Sequence, residues 1–102
     1  MTKSQEKAIA KVRKLVESEI RPDREEIKTW EVKEYTYFVA LYIVYGYKND
    51  EGTLSEYLLR DKAHLFIGKR GAITYPVDYR GRTVRRKFKG YSILQAVCDQ
   101  RI

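Results

Sequence analysis

The sequence predicts a small α+β domain with an N-terminal helix, an antiparallel meander sheet of about five strands and a short C-terminal helix. Three observations carry this expectation. Apolar residues recur at helical spacing between Thr2 and Ile20, Tyr37 to Tyr45 is an unbroken run of nine apolar or aromatic residues, and turn-forming residues then recur at short intervals from Asn49 onward. A chain of 102 residues fits one domain, residues 1–102, with a single modest core.

The helix is the most explicit element. Ile9, Val12, Val16 and Ile20, flanked by Ala8 and Leu15, fall on one stripe, Thr2 and Gln5 have capping-box spacing, and Pro22 ends the helix. Asp23 to Glu34 has two readings, a helix start from Pro22 with Asp23, Glu25 and Glu26 behind it, or a loop passing into a strand, which the alternation of Trp30 and Val32 with Glu31 and Lys33 favours. Tyr37 to Tyr45 places Tyr37, Val39, Leu41, Ile43 and Tyr45 on one face and Phe38, Ala40, Tyr42 and Val44 on the other, which predicts a central strand buried on both faces.

Hairpins follow in series. After the turn at Asn49 to Gly52, Thr53 to Arg60 returns, Ala63 to Ile67 and Ala72 to Tyr75 flank the Gly68 to Gly71 turn, and Arg80-Gly81 separates Val77 to Tyr79 from Arg82 to Lys89. Pro76 cannot donate to a strand ladder and predicts an edge or a break at that point. Ser92 and Gln95 repeat the capping-box spacing ahead of Ile93, Leu94, Val97 and Cys98, an apolar stripe for a closing helix. Tyr47, Gly52 to Leu54 and Tyr57 also echo Tyr79, Gly81, Thr83-Val84 and Phe88. Two readings stay open: two similar β-rich halves with a seam between them, or two hairpins that share common residue types.

Charge is strongly regional. Residues 60–102 hold eleven Lys and Arg against three acids, whereas residues 1–59 hold ten against eleven, so the formal +7 arises in the C-terminal part. Tyr79 to Tyr91 alone carries six cations and no acid. Such a field implies an anionic partner or an acidic surface. As a strand, this segment sets Arg85, Lys87 and Lys89 on one face at steps of about 6.6 Å, with Val84 and Phe88 turned to the core. The longest uncharged stretch, Tyr35 to Tyr47, is thirteen residues, short of the roughly 20 that span a bilayer as a helix, so no membrane role is expected. No export signal is visible, and the single Cys98 permits no internal disulfide.

Catalytic chemistry has little to build on. His64 and Cys98 are each the one residue of their type, which leaves no metal-ligand spacing, no cofactor motif and no convincing nucleophile and base pair. Glu31, Glu34 or Glu56 paired with His64 would give a small ribonuclease-like site, but solvated charged faces account for them more simply. The stretch Phe66 to Gly71 resembles the GxxG loop of KH domains over six residues. Thr74 stands where that family has an apolar residue, and Pro76 arrives too early for the helix that should follow, which favours a hairpin turn.

Nine Tyr, three Phe and Trp30 exceed what one small core readily buries, so several rings are expected outside. Together these features point to a non-enzymatic binding module. Its expected partner is a protein or extended peptide held at a sheet edge or in a groove lined by Tyr37, Tyr45, Tyr47 and Tyr57, and the complementary acidic and basic parts allow self-association. The alternative is nucleic acid bound through Lys69, Arg70, Arg80, Arg82, Arg85, Arg86, Lys87 and Lys89. A ribonuclease-like enzyme is the second alternative.

Beyond Met1 the chain has no methionine, it has one Asn and one Cys, and it is dense in Lys, Arg, Glu, Ile and Tyr, as in proteins from very hot habitats. With its length and the run Tyr35 to Tyr47, it resembles the small proteins of Acidianus filamentous virus 1, a virus of hyperthermophilic archaea. That resemblance implies a virus-encoded protein acting in the cytoplasm of the host cell, and it supplies no catalytic residues.

Overall fold

The computed structural model describes residues 1–48, 61–90, 96–97 and 100. Helix α1 spans Lys3–Glu19 and starts as its sequence dictates. Gln5 N–H donates to Thr2 Oγ1 at 3.1 Å and Thr2 N–H donates to Gln5 Oε1 at 2.9 Å, a complete capping box. Both residues also tie the helix to the sheet, since Thr2 Oγ1 donates to the Lys69 carbonyl at 2.7 Å and Gln5 Nε2 to the Ile67 carbonyl at 3.2 Å. Arg13 and Glu17 pair at 2.8 Å on the outer face. The helix ends as Ile20 becomes extended, two residues before Pro22.

Five antiparallel strands follow in meander order: β1 Glu25–Glu34, β2 Phe38–Tyr47, β3 Asp61–Gly68, β4 Ile73–Tyr79 and β5 Arg82–Lys87. The expected α+β architecture is therefore present. The segment after Pro22 enters a strand as anticipated, and Ile73–Tyr79 runs straight through Pro76 as one strand. The proposed return at residues 53–60 and, from the first half of the internal echo, Gly52 to Leu54 and Tyr57 lie outside the described residues. So does most of the expected C-terminal helix, of which Ala96, Val97 and Gln100 are described, with helical backbone.

Two glycines shape the hairpin turns. Gly71 takes φ +91° and brings the β3–β4 turn so close to α1 that a Cβ there would lie 3.1 Å from the Ser4 carbonyl oxygen. Between β4 and β5, Arg80 and Gly81 both have positive φ, 50° and 75°, as a two-residue type I′ hairpin requires.

One face of the sheet carries the core. Val39, Leu41, Ile43 and Tyr45 from β2, Ala63, Leu65 and Ile67 from β3, and Ile73, Tyr75 and Val77 from β4 pack with Ala8, Val12 and Val16 of α1 and with Ala96 and Val97. Phe88 is buried there too, as the alternation in the basic segment predicts. The expectation that β2 is buried on both faces is corrected. Phe38, Ala40, Tyr42 and Val44 stay partly exposed, because among the described residues the helical cover lies on the opposite side of the sheet. On the open face aromatic rings shield one another instead: Tyr35 stacks on Phe38 with centroids 4.8 Å apart, Phe38 meets Phe66 edge-on at 5.5 Å, and Tyr42 lies against His64 at 4.5 Å.

The sheet is continuous in order but not in pairing. β2 and β3 are in register from Phe38 opposite Gly68 to Tyr45 opposite Asp61, whereas β3 and β4 share only Phe66 opposite Thr74 and Ile67 opposite Ile73. Continuing that register by two residues would set His64 against Pro76, and Pro76 has no N–H to give. The strands part at that point, leaving a seam between β1–β3 and the β4–β5 hairpin.

Candidate functional site

The seam exposes a short length of strand edge. His64 N–H and C=O point away from β2, toward the position that β4 would fill. The side-chain amide of Gln100 occupies that position: His64 N–H donates to Gln100 Oε1 at 2.8 Å, and Gln100 Nε2 donates to the His64 carbonyl at 3.0 Å. One primary amide thus reproduces the paired bonds of an antiparallel strand partner. The outer edges of the sheet are different in character. β1 reads Glu-Glu-Ile-Lys-Thr-Trp-Glu-Val-Lys-Glu and β5 reads Arg-Thr-Val-Arg-Arg-Lys, charge patterns that discourage edge-to-edge pairing.

Beside the seam, on the open face, a cavity of about 450 Å³ is lined by Tyr35, Tyr42, His64 and Phe66, with Ala40 in its floor and Glu31 and Lys33 at its β1 side. Two cations lie against its rings, with the Glu31 carboxylate also in the lining. Arg85 reaches across from β5 to lie 4.7 Å from the Phe66 ring centroid and 5.7 Å from that of Phe38, while Lys33 Nζ is 5.2 Å from the centroid of Tyr35. A volume of this size holds one or two side chains, and an aromatic lining with few polar groups is the usual make-up of a ligand pocket.

The four tyrosines expected to line a groove are not brought together. Tyr45 lies within β2, whereas Tyr37 precedes the strand, eight residues earlier in the sequence. Tyr37 is 79% exposed beyond the strand's start, whereas Tyr45 is 4% exposed within the core. Tyr47 pairs with Glu25 at the far end of β2, and its side chain and the whole of Tyr57 lie outside the described residues. The rings that do converge are Tyr35, Phe38, Tyr42 and Phe66. Strand alternation places Phe38 and Tyr42 on one face, but their meeting with Phe66 depends on a register that sequence does not declare.

The basic residues divide into groups. Arg80 and Arg82 sit at the tip of the β4–β5 hairpin, where the Arg80 guanidinium lies 5.2 Å from the Tyr79 ring centroid. Arg85 faces the aromatic cavity, and Arg86 stands on the side of Val84 and Phe88. Lys87 and Lys89, at the opposite end of β5, join Arg70 of the β3–β4 turn along a second cavity beside α1, while Lys69 is exposed in the same turn. As for acid and base groups, Glu31 and His64 line the same cavity. Glu34 pairs instead with the N-terminal ammonium at 2.8 Å, and Glu56 and Cys98 lie outside the described residues. Among the described residues no group of His, Cys, Asp and Glu has a metal-binding arrangement, and no helix is long and apolar enough to cross a membrane. No family model, curated protein or solved structure matches the chain.

Proposed function

We propose that the protein is a non-enzymatic binding module that accepts an extended segment of a protein or peptide at the β3–β4 seam. The observation that carries this reading is the pair of bonds from Gln100 to His64, at 2.8 and 3.0 Å. A side chain standing in for a strand marks a place where a real strand has its bonds already laid out. An incoming peptide would take the His64 backbone in place of the Gln100 amide. Because strand side chains alternate, every second residue of the peptide would turn onto the open face, where the aromatic cavity beside His64 would receive one of them. Arg85, stacked over Phe66 at the β5 side and away from Glu31, favours an acidic neighbour in that peptide.

Selection from a displayed library of random peptides, followed by titration of the best binder, tests this reading. Binding should protect the His64 amide beyond the level that Gln100 provides and should be lost when alternate peptide nitrogens are N-methylated. Recovery of no binder, or of binders indifferent to N-methylation, would count against strand addition.

A further inference from the structure

We propose that a second cavity, which shares no lining residue with the aromatic one, is a binding site for the sugar-phosphate backbone of nucleic acid. The cavity is about 380 Å³ and lies where α1, the β3–β4 turn and the end of β5 meet. Among the described residues five cations line it: Lys7 and Lys11 from α1, Arg70 from the turn, and Lys87 and Lys89 from β5 and the residues just after it. Among the described residues no Asp or Glu lines it, and none of the five forms an ion pair. The ammonium of Lys11 is held close against the end of β5, since a Cβ on Gly90 would lie 3.1 Å from Lys11 Nζ.

Five like charges around one concavity repel one another, and an anion placed among them relieves that repulsion. Four of the five are lysines, which act as mobile point charges rather than as the rigid forks that clasp a single carboxylate or phosphate. Their spread over three elements suits a row of charges better than one small anion, and a phosphodiester chain is such a row. The site is not the linear basic segment 79–91. It omits Arg80 and Arg82 at the far hairpin tip and recruits Lys7 and Lys11 from the charge-balanced half of the chain. It also stands independently of the peptide reading, because it shares no residue with the seam.

The full chain would be titrated into labelled duplex and single-stranded oligonucleotides at several salt concentrations. Five phosphate contacts predict log-log salt slopes of about −4.5 on duplex and about −3.5 on single strands. Lys7→Ala with Lys11→Ala, both exposed on the helix, should flatten the duplex slope by about 1.8, while Arg80→Ala with Arg82→Ala leaves it in place. Should the helix variant melt early, Lys87→Gln with Lys89→Gln gives the same reading from the other wall. The proposal is overturned if the hairpin-tip pair alone moves the slope. It is equally overturned if tripolyphosphate or phosphatidylserine vesicles bind while oligonucleotides do not, because the site would then serve a small anion or a lipid surface.

Discussion

The side-chain amide of Gln100 is bonded to both backbone groups of His64, at 2.8 Å to the N–H and 3.0 Å from its own nitrogen to the carbonyl. The contact joins residues 36 positions apart and closes the open edge of β3 without a strand. Gln100→Ala should return both groups to water. The bonds are exposed, so the stability loss is expected to be about 0.5 to 1.5 kcal/mol, the net scale of ordinary hydrogen bonds. Hydrogen exchange reports the change more directly: the His64 amide should lose protection in Gln100→Ala but keep most of it in Gln100→Glu, which retains the acceptor oxygens. Unchanged exchange in the alanine variant would mean that this amide is protected by something other than Gln100.

The two faces of β2 should respond differently to truncation. Leu41 and Ile43 are essentially inaccessible, and replacing either with Ala is expected to cost about 2 to 5 kcal/mol. Tyr42 is partly exposed and leans on His64, so Tyr42→Ala should cost less than either, its ring pair adding about 0.5 to 1.5 kcal/mol to the area it buries. Chemical denaturation of the three variants checks the contrast. Equal losses would show that the open face is covered after all.

These contrasts mark where sequence was legible. Helix α1 could be read because Thr2, Gln5 and the stripe from Ala8 to Val16 are local patterns, and the Gly71 and Gly81 turns because positive φ selects glycine locally. The nine-residue run at Tyr37 to Tyr45 identified the central strand but misled about its surroundings: apolarity says a face resists water, not that an element exists to cover it. Pro76 signalled a break, yet which neighbour it would lose depended on the β3–β4 register. The Gln100 contact and the five-cation cavity were invisible for the same reason. Each joins residues from distant positions, and Lys7 and Lys11 look unremarkable among the acids of their own segment.

The glycines at the two turns carry different loads. Gly81→Ala meets only the backbone penalty of a positive φ, about 1 to 2 kcal/mol, since nothing lies within 4 Å of the added Cβ. Gly71→Ala meets that penalty and also drives a Cβ to 3.1 Å from the Ser4 carbonyl oxygen, so it should lose more and should loosen the start of α1. Thermal melts rank the two, and amide exchange in the first turn of the helix locates the damage. A milder effect at Gly71 than at Gly81 would mean that the helix does not rest on the turn as closely as its contacts indicate.

Gln5 joins the helix cap to the core, and its two roles can be separated. Thr2→Ala removes the cap oxygen and should cost about 1 kcal/mol. Gln5→Glu keeps an acceptor for the Thr2 N–H but, when ionised, has no donor for the Ile67 carbonyl and places a charge at a 3%-exposed position. Burial disfavours the charged form, so the introduced acid should titrate higher in the folded than in the unfolded chain. The variant should therefore be least stable above the folded value and recover as pH falls through it. Stability of Gln5→Glu that does not change with pH would show that this side chain escapes to solvent.

Pro76 gives the most direct test of why the seam exists. It is paired with Arg85 on β5, and on its other side it stands where the register would next meet His64. Pro76→Val supplies the missing N–H and a residue suited to strands, without disturbing a buried position. If the absent donor is what parts β3 from β4, the new amide should compete with Gln100 for the His64 carbonyl, become protected from exchange, and extend the pairing by one step. The same change should weaken any peptide that binds at this edge, because the bond it needs is then made within the chain. A residue 76 amide that exchanges as freely as an exposed one would show instead that the seam is held open by packing beneath it, with Pro76 a consequence of the gap rather than its cause.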